Sequence, residues 1–215
     1  MKPENIDMQV AEIFELYGNA HTYSPGEIIF QKSYPADKIY FVSKGMVRTY
    51  CLNNSGDEIT LFYITENNTI GNEPMANIPT RQISVDSVTD VKLYSMDAKI
   101  LIEKCVSNKL SMQNLLEYFV KKIITLSNYI CCTRFMKNEE KLAYFLYSNS
   151  TCDGSAVDYT HVQIASLTGM NRVSVTKLLN SFAEKKLISQ HYKEIMILNR
   201  NGLADVFKSI GYLLD

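Results

Sequence analysis

The segment from Thr160 to Ile188, THVQIASLTGMNRVSVTKLLNSFAEKKLI, constrains the fold most, because it reads as two short helices joined by a tight turn. Thr160 and Gln163 have capping-box spacing, in which the hydroxyl and the amide side chain satisfy orphan backbone donors at a helix start. Ile164 and Leu167 supply the buried stripe of that helix. Thr168-Gly169-Met170 makes the turn, with Gly169 free to take positive φ. Asn171 is a natural N-cap for the second helix. Val175, Leu179 and Phe182 recur at i, i+4 and i+7 and face inward, with Leu178 beside them. Arg172, Val173, Thr176, Lys177 and Asn180 are left outward, where a recognition helix meets base edges. An ordinary αα-hairpin shares this local pattern, so the flanks decide. Two β-prone runs follow, Leu187–His191 and Ile195–Leu198, around a polar turn at Tyr192-Lys193-Glu194. A helix-turn-helix with such a hairpin is a winged helix. The wing is expected to bring Lys193 toward a phosphate, a contact that positions without reading sequence; His191 is either a second such contact or a plain solvent-exposed hairpin residue.

At 215 residues the chain is long enough for two modest domains. It has no 18-residue apolar run and no basic-apolar leader, so no membrane segment is expected and a cytoplasmic location is. Five cysteines (Cys51, Cys105, Cys131, Cys132, Cys152) form no CxxC pair and suit a reducing compartment. The net charge of −1 conceals an asymmetry: residues 1–133 hold 12 basic and 15 acidic side chains, residues 134–215 hold 10 and 8. The basic excess therefore sits with the helix-turn-helix.

The first half is β-rich. After an amphipathic helix near Ile6–Tyr17, runs at Glu27–Phe30, Ile39–Val42, Met46–Leu52, Ile59–Ile64, Ile83–Val88 and Val91–Ser95 alternate with turn signals, among them Asn67-Asn68. Such spacing predicts a sandwich or jelly roll, followed by a short helix capped by Asp97. From about Leu110 to Phe135 the period becomes helical. Leu116, Phe119, Ile123, Leu126, Ile130 and Thr133 form an a/d seam roughly 39 Å long at 1.5 Å per residue. Leu115, Val120 and Ile124 form a second face expected to pack on the β domain. A helix apolar on two faces touches two things, and a second copy is the economical partner. The expectation is an α+β protein: a jelly roll at 1–109, a long dimerisation helix and hinge at 110–137, and a winged helix-turn-helix at 138–215. A parallel homodimer presents two recognition helices about one DNA turn apart to a near-palindromic site.

That order closely resembles the Crp/Fnr family of bacterial transcription regulators over essentially the whole chain. The marks are SPGEIIF at Ser24–Phe30, IYFVSKG at Ile39–Gly45, Thr69-Ile70-Gly71, and the helix-turn-helix with Leu187-Ile188. The resemblance implies an effector pocket between roll and long helix. In cyclic-nucleotide-binding members a Gly-Glu pair contacts the ribose, and an Arg followed by a small hydroxyl residue holds the cyclic phosphate. Here Gly71 is followed by Asn72, with Glu73 displaced by one, and Arg81 is followed by Gln82. The base-contacting polar pair on the long helix becomes Leu126-Ser127. Cyclic AMP would keep the Arg81 charge and lose several hydrogen bonds, each worth about 1 kcal/mol. The stretch GDEITLFYITENNTIG resembles members that sense halogenated aromatic acids. In that reading Phe62, Tyr63 and Tyr129 line an aromatic pocket while Arg81 or Lys121 meets an acid group. Arg81 as a surface ion-pair residue is the plain alternative. The recognition helix of the family commonly begins Ser-Arg-Glu-Thr-Val. Here it is Asn171-Arg172-Val173-Ser174-Val175-Thr176-Lys177, so Arg172 can grip a guanine while Val173 suits a thymine methyl. Thr160 and Asn180 complete the expected DNA-contacting set.

Other chemistry fits poorly. No N-terminal cysteine cluster exists for an iron–sulfur centre, and haem is disfavoured because His21 lacks an evident axial partner. A metal site of the cupin type needs several histidines inside the roll, and the chain has only His21, His161 and His191. No nucleophile–base pair or phosphate-binding glycine pattern appears, so an enzyme is not expected. Three options remain open: an effector other than cyclic AMP, a vestigial pocket in a constitutive DNA binder, or an altered cyclic-nucleotide pocket. The implied partners are double-stranded DNA, a second copy, a small-molecule effector and, for an activator, RNA polymerase.

Overall fold

Alternating side chains on short extended runs produce two facing sheets in the N-terminal part of the computed structural model, which describes residues 5–53, 55–191 and 194–208. Helix α1 (Met8–Tyr17) starts at Asp7, whose carboxylate accepts from the Gln9 N–H at 2.9 Å. Eight strands follow: β1 (Asn19–Tyr23), β2 (Ile28–Phe30), β3 (Ile39–Lys44), β4 (Met46–Leu52), β5 (Glu58–Thr65), β6 (Asn68–Ile70), β7 (Ser84–Ser87) and β8 (Val91–Met96). They form two antiparallel four-stranded sheets, ordered β1-β8-β3-β6 and β2-β7-β4-β5. This is the expected jelly roll, with two additions. Strand β1 has little apolar content, and β6 begins at Asn68, where the sequence suggested a turn. The bend is instead at Glu66-Asn67, with Asn67 at φ 62°, and the chain is extended again from Asn68.

Strand β3 shows how the layers are filled. Ile39 and Phe41 point to a core shared with Phe14, Met96, Leu101, Leu115 and Tyr118, while Tyr40 and Val42 point between the sheets toward Phe30, Val47, Val85 and Leu93. Helix α2 (Ala98–Val106) is capped by Asp97 as expected and buries Leu101 and Cys105.

Helix α3 (Lys109–Phe135) is one continuous 27-residue helix. Ser111, Leu115 and Tyr118 are its buried residues on the roll side. The expected two-face assignment needs correction. Val120 and Ile124 are exposed rather than packed on the β domain, and Phe119, assigned to the outer seam, is half-buried against the roll core. The buried stripe follows i, i+4, i+7 from Ser111, which rotates the outer face to Leu116, Val120, Ile123, Ser127 and Ile130. That row alternates steps of four and three, so an a/d seam survives on a shifted register.

The described residues divide into two compact units, one ending at Ile123 and the other beginning at Ile124. In the second, α4 (Asn138–Ser148), β9 (Ala156–Val157), α5 (His161–Thr168), α6 (Arg172–Glu184), β10 (Ile188–His191), β11 (Glu194–Ile197) and α7 (Arg200–Phe207) form a helical core with a three-stranded antiparallel sheet, β10-β11-β9. Between α3 and α4, at the expected hinge, the Glu140 carboxylate accepts from the Lys137 N–H at 2.7 Å and starts the new helix. Val175, Leu179 and Phe182 are fully buried, as their spacing requires.

Candidate nucleic-acid interface and effector site

The tip of the second unit is built by caps. The Thr160 hydroxyl accepts from the Gln163 N–H, while the Gln163 amide oxygen accepts from the Thr160 N–H at 2.8 Å. Gly169 ends α5 at φ 68°, and the Asn171 side chain accepts from the Ser174 N–H at 2.8 Å to start α6. With the turn fixed, Arg172, Val173, Lys177 and Asn180 stand exposed, with Ser174 and Thr176 half-buried beside them. Their side chains take no part in the buried core, and the positive end of the helix dipole lies among the first of them. Lys193 and Tyr192 lie outside the described residues.

Two contacts that sequence reading missed lock this surface. His161 Nδ1 lies 2.9 Å from the Thr176 hydroxyl, tying α5 to α6. The Gln190 amide donates to Asn180 Oδ1 at 3.0 Å, tying the wing to α6. Between them opens a cleft of about 370 Å³ lined by Thr160, His161, Arg172, Gln190, His191 and Glu194, among others. Their sequence separations of 10 to 15 residues carry no periodic signal.

In the roll, Gly71, Asn72, Glu73, Arg81 and Gln82 come together. Arg81 is not at the surface; it is 2 % exposed. Its Nη1 donates to the Gly71 carbonyl at 3.0 Å and to Glu73 Oε2 at 3.1 Å, and its Nη2 donates to the Lys38 carbonyl at 2.6 Å. The guanidinium lies over Phe30 at 4.4 Å and near Tyr40 at 5.5 Å. Gly71 is required here twice: its φ is +67°, and a Cβ would stand 2.5 Å from Arg81 Nη1. Glu73 and Pro74 begin a 3₁₀ turn, Glu73–Ala76, that aims the Glu73 carboxylate back at Arg81 and at the Gln82 N–H, 3.1 Å away. Among the described residues, Asn72 Oδ1 and Arg81 Nε are the buried side-chain polar atoms without a hydrogen-bond partner.

Tyr63 is buried on β5, and Phe62 packs against the inter-sheet core. Leu126 and Ser127 are exposed on the part of α3 belonging to the second unit, and Tyr129, half-buried there, has its hydroxyl pKa raised by burial. Burial also pushes the neighbouring Cys132 thiol up to about 12, which leaves little thiolate for redox chemistry. A further contact set was invisible in the sequence. The Tyr118 hydroxyl accepts from the Thr69 N–H at 2.8 Å, and Lys122 Nζ donates to the Thr69 carbonyl at 2.9 Å. Helix α3 thus grips β6 two residues before Gly71. Among the described residues no group of three His, Cys, Asp or Glu side chains is placed to hold a metal ion, and no helix is long and apolar enough to cross a membrane.

A jelly-roll sensor unit and a winged helix with an exposed recognition face define a DNA-binding regulator rather than an enzyme. Residues 20–108 match the cyclic nucleotide-binding domain, and residues 140–206 match the Crp-like helix-turn-helix domain. The chain belongs to the Crp/Fnr family of transcription regulators. It is 27% identical over 198 residues to the global nitrogen regulator of Synechococcus elongatus, covering 86% of this chain and 88% of that one. It is 24% identical over 187 residues to the CRP-like cAMP-activated global transcriptional regulator of Mycobacterium tuberculosis, covering 83% and 84%. The structure of FixK2 from Bradyrhizobium japonicum shares the fold, with a TM-score of 0.76 at 16% identity over 88% of this chain and 96% of that one.

Proposed function

We propose that the protein is a cytoplasmic homodimer that reads a near-palindromic DNA site, with its sensor controlled by a small effector other than cyclic AMP. The working parts are 1–109 as sensor, 110–137 as dimerisation helix and hinge, and 138–215 as DNA reader. The observation that carries the reading is the face of α6, where Arg172, Val173, Lys177 and Asn180 are exposed at a capped helix start. The rotated α3 seam supports the dimer. In the sensor, Gly71, Asn72, Glu73, Arg81 and Gln82 form one end of the effector site; the resemblance adds Tyr63, Leu126, Ser127 and Tyr129. A small aromatic acid suits the cleft of about 390 Å³ in which Ile28, Phe30, Tyr34 and Tyr40 surround Arg81. The grip of Tyr118 and Lys122 on β6 gives the effector loop a direct mechanical link to α3, and an effector shifts the equilibrium only through differential affinity for the two states.

Selection of binding sites from random duplex DNA at about 0.1 M salt, with and without added cell metabolites, tests the reader. A palindrome with half-sites about 10 base pairs apart, enriched when metabolites are added, is expected; equal enrichment without them favours a constitutive or already loaded protein, and no enrichment by the folded protein under either condition overturns the reader. On the selected site Arg172→Ala is expected to cost about 1–3 kcal/mol while barely changing non-specific binding. Equal losses on both DNAs remove Arg172 from the base contacts. A second reading, in which the protein binds DNA without any effector, is favoured by one observation: the Arg81 guanidinium already has a carboxylate.

A further inference from the structure

We infer that Glu73 is a built-in occupant of the sensor's anion site, a tethered carboxylate standing where a soluble monocarboxylate would otherwise bind. The inference rests on the effector-free reading. Glu73 Oε2 accepts from Arg81 Nη1 and Oε1 from the Gln82 N–H, both at 3.1 Å. One carboxylate therefore takes a charged donor and a backbone donor together, the arrangement by which proteins hold small anions. The Arg81 side chain is shielded from solvent at 1% exposed, and that of Glu73 is half-buried at 11%, while the Gln82 end of the contact lies at the surface. Nη1 also donates to the Gly71 carbonyl and Nη2 donates to the Lys38 carbonyl, leaving Nε as the guanidinium nitrogen without an acceptor.

The tether is short and shaped. Asn77 closes the 3₁₀ turn in the left-handed region at φ 55°, and its N–H returns to the Glu73 carbonyl. Attachment gives Glu73 an effective concentration of about millimolar or more, which a free monoanion must exceed to displace it. The site is thus held in its anion-bound form by the chain itself. Removing the Glu73 side chain creates a receptor for a small carboxylate of matching size, such as acetate or propionate.

The test uses the intact protein and its Glu73→Ala variant, with acetate, propionate and chloride as probes. The wild type is expected to show no shift in Tm or in affinity for its selected DNA with any of the three at equal ionic strength. The variant is expected to lose about 10 °C in Tm through the broken buried pair. Its DNA affinity is expected to fall about tenfold or more. Acetate or propionate, and not chloride, should restore both saturably. No recovery, equal recovery by chloride, or undiminished DNA affinity of the anion-free variant overturns the inference. If the variant does not fold, Glu73→Gln keeps the packing and loses the charge; DNA affinity equal to wild type then overturns it. Failure of the wild type to select DNA without an effector defeats the effector-free reading alone, because carboxylate-specific recovery of Tm still reports the occupied site.

Discussion

Val120→Glu is expected to turn the protein into a monomer and to weaken binding to a two-half-site DNA by about 10²–10⁴-fold, the factor lost when two linked contacts become one. Val120 is 54% exposed, between Leu116 at 59% and Ile123 at 63% on the outer face of α3. A carboxylate there costs the single chain little. In a two-fold interface the substitution is present twice, and near the axis of a parallel pair each new charge meets its own copy. Burying such charges costs several kcal/mol per ion, more than an exposed valine contributes by packing. Sedimentation equilibrium and gel shifts on full and half sites measure the effect. A variant that remains dimeric moves the interface off this face of α3.

Phe182→Ala attacks a different level. Phe182 is fully buried in the winged-helix unit with Val175 and Leu179, and truncating a core phenylalanine costs about 3–5 kcal/mol. That is a large part of the stability of a small domain. Helix α6 should lose its fixed position and specific DNA binding should disappear, while dimerisation through α3 persists. The chain has no tryptophan, so far-ultraviolet circular dichroism during urea unfolding, together with sedimentation, makes the comparison. An unchanged denaturation midpoint with full DNA binding contradicts this account of the core.

Both predictions draw on features of unequal legibility. The helix-turn-helix was readable almost to the residue, because caps at Thr160 and Asn171, the turn at Gly169 and the Val175–Phe182 stripe are local signals. Most strands of the roll were readable for the same reason. Their order in two sheets was not, since pairing such as β1 with β8 joins residues 68 to 76 positions apart. Strand β1, NAHTY, escaped because it is an edge strand with mostly exposed or half-buried side chains. The faces of α3 were misassigned because leucine, isoleucine and valine occupy more than half its circumference; only the position of Tyr118 over Thr69 selects the inner one. At the effector site the displaced glutamate marked a departure from the family pattern. Its reach to Arg81 depends on the turn at Glu73–Ala76, which is too short to leave a periodic signal in the sequence.

The separation of the α6 surface from the core beneath it has an evolutionary consequence. Arg172, Val173, Lys177 and Asn180 are exposed, whereas the buried residues of the same helix are Val175, Leu179 and Phe182. Exchanges at Arg172, Val173 and Lys177 are nearly neutral for stability, so with the proposed reading of α6 descendants of such a gene can drift to new DNA targets one side chain at a time without passing through unfolded intermediates. Duplicated copies can part company in the promoters they read while still sharing one scaffold.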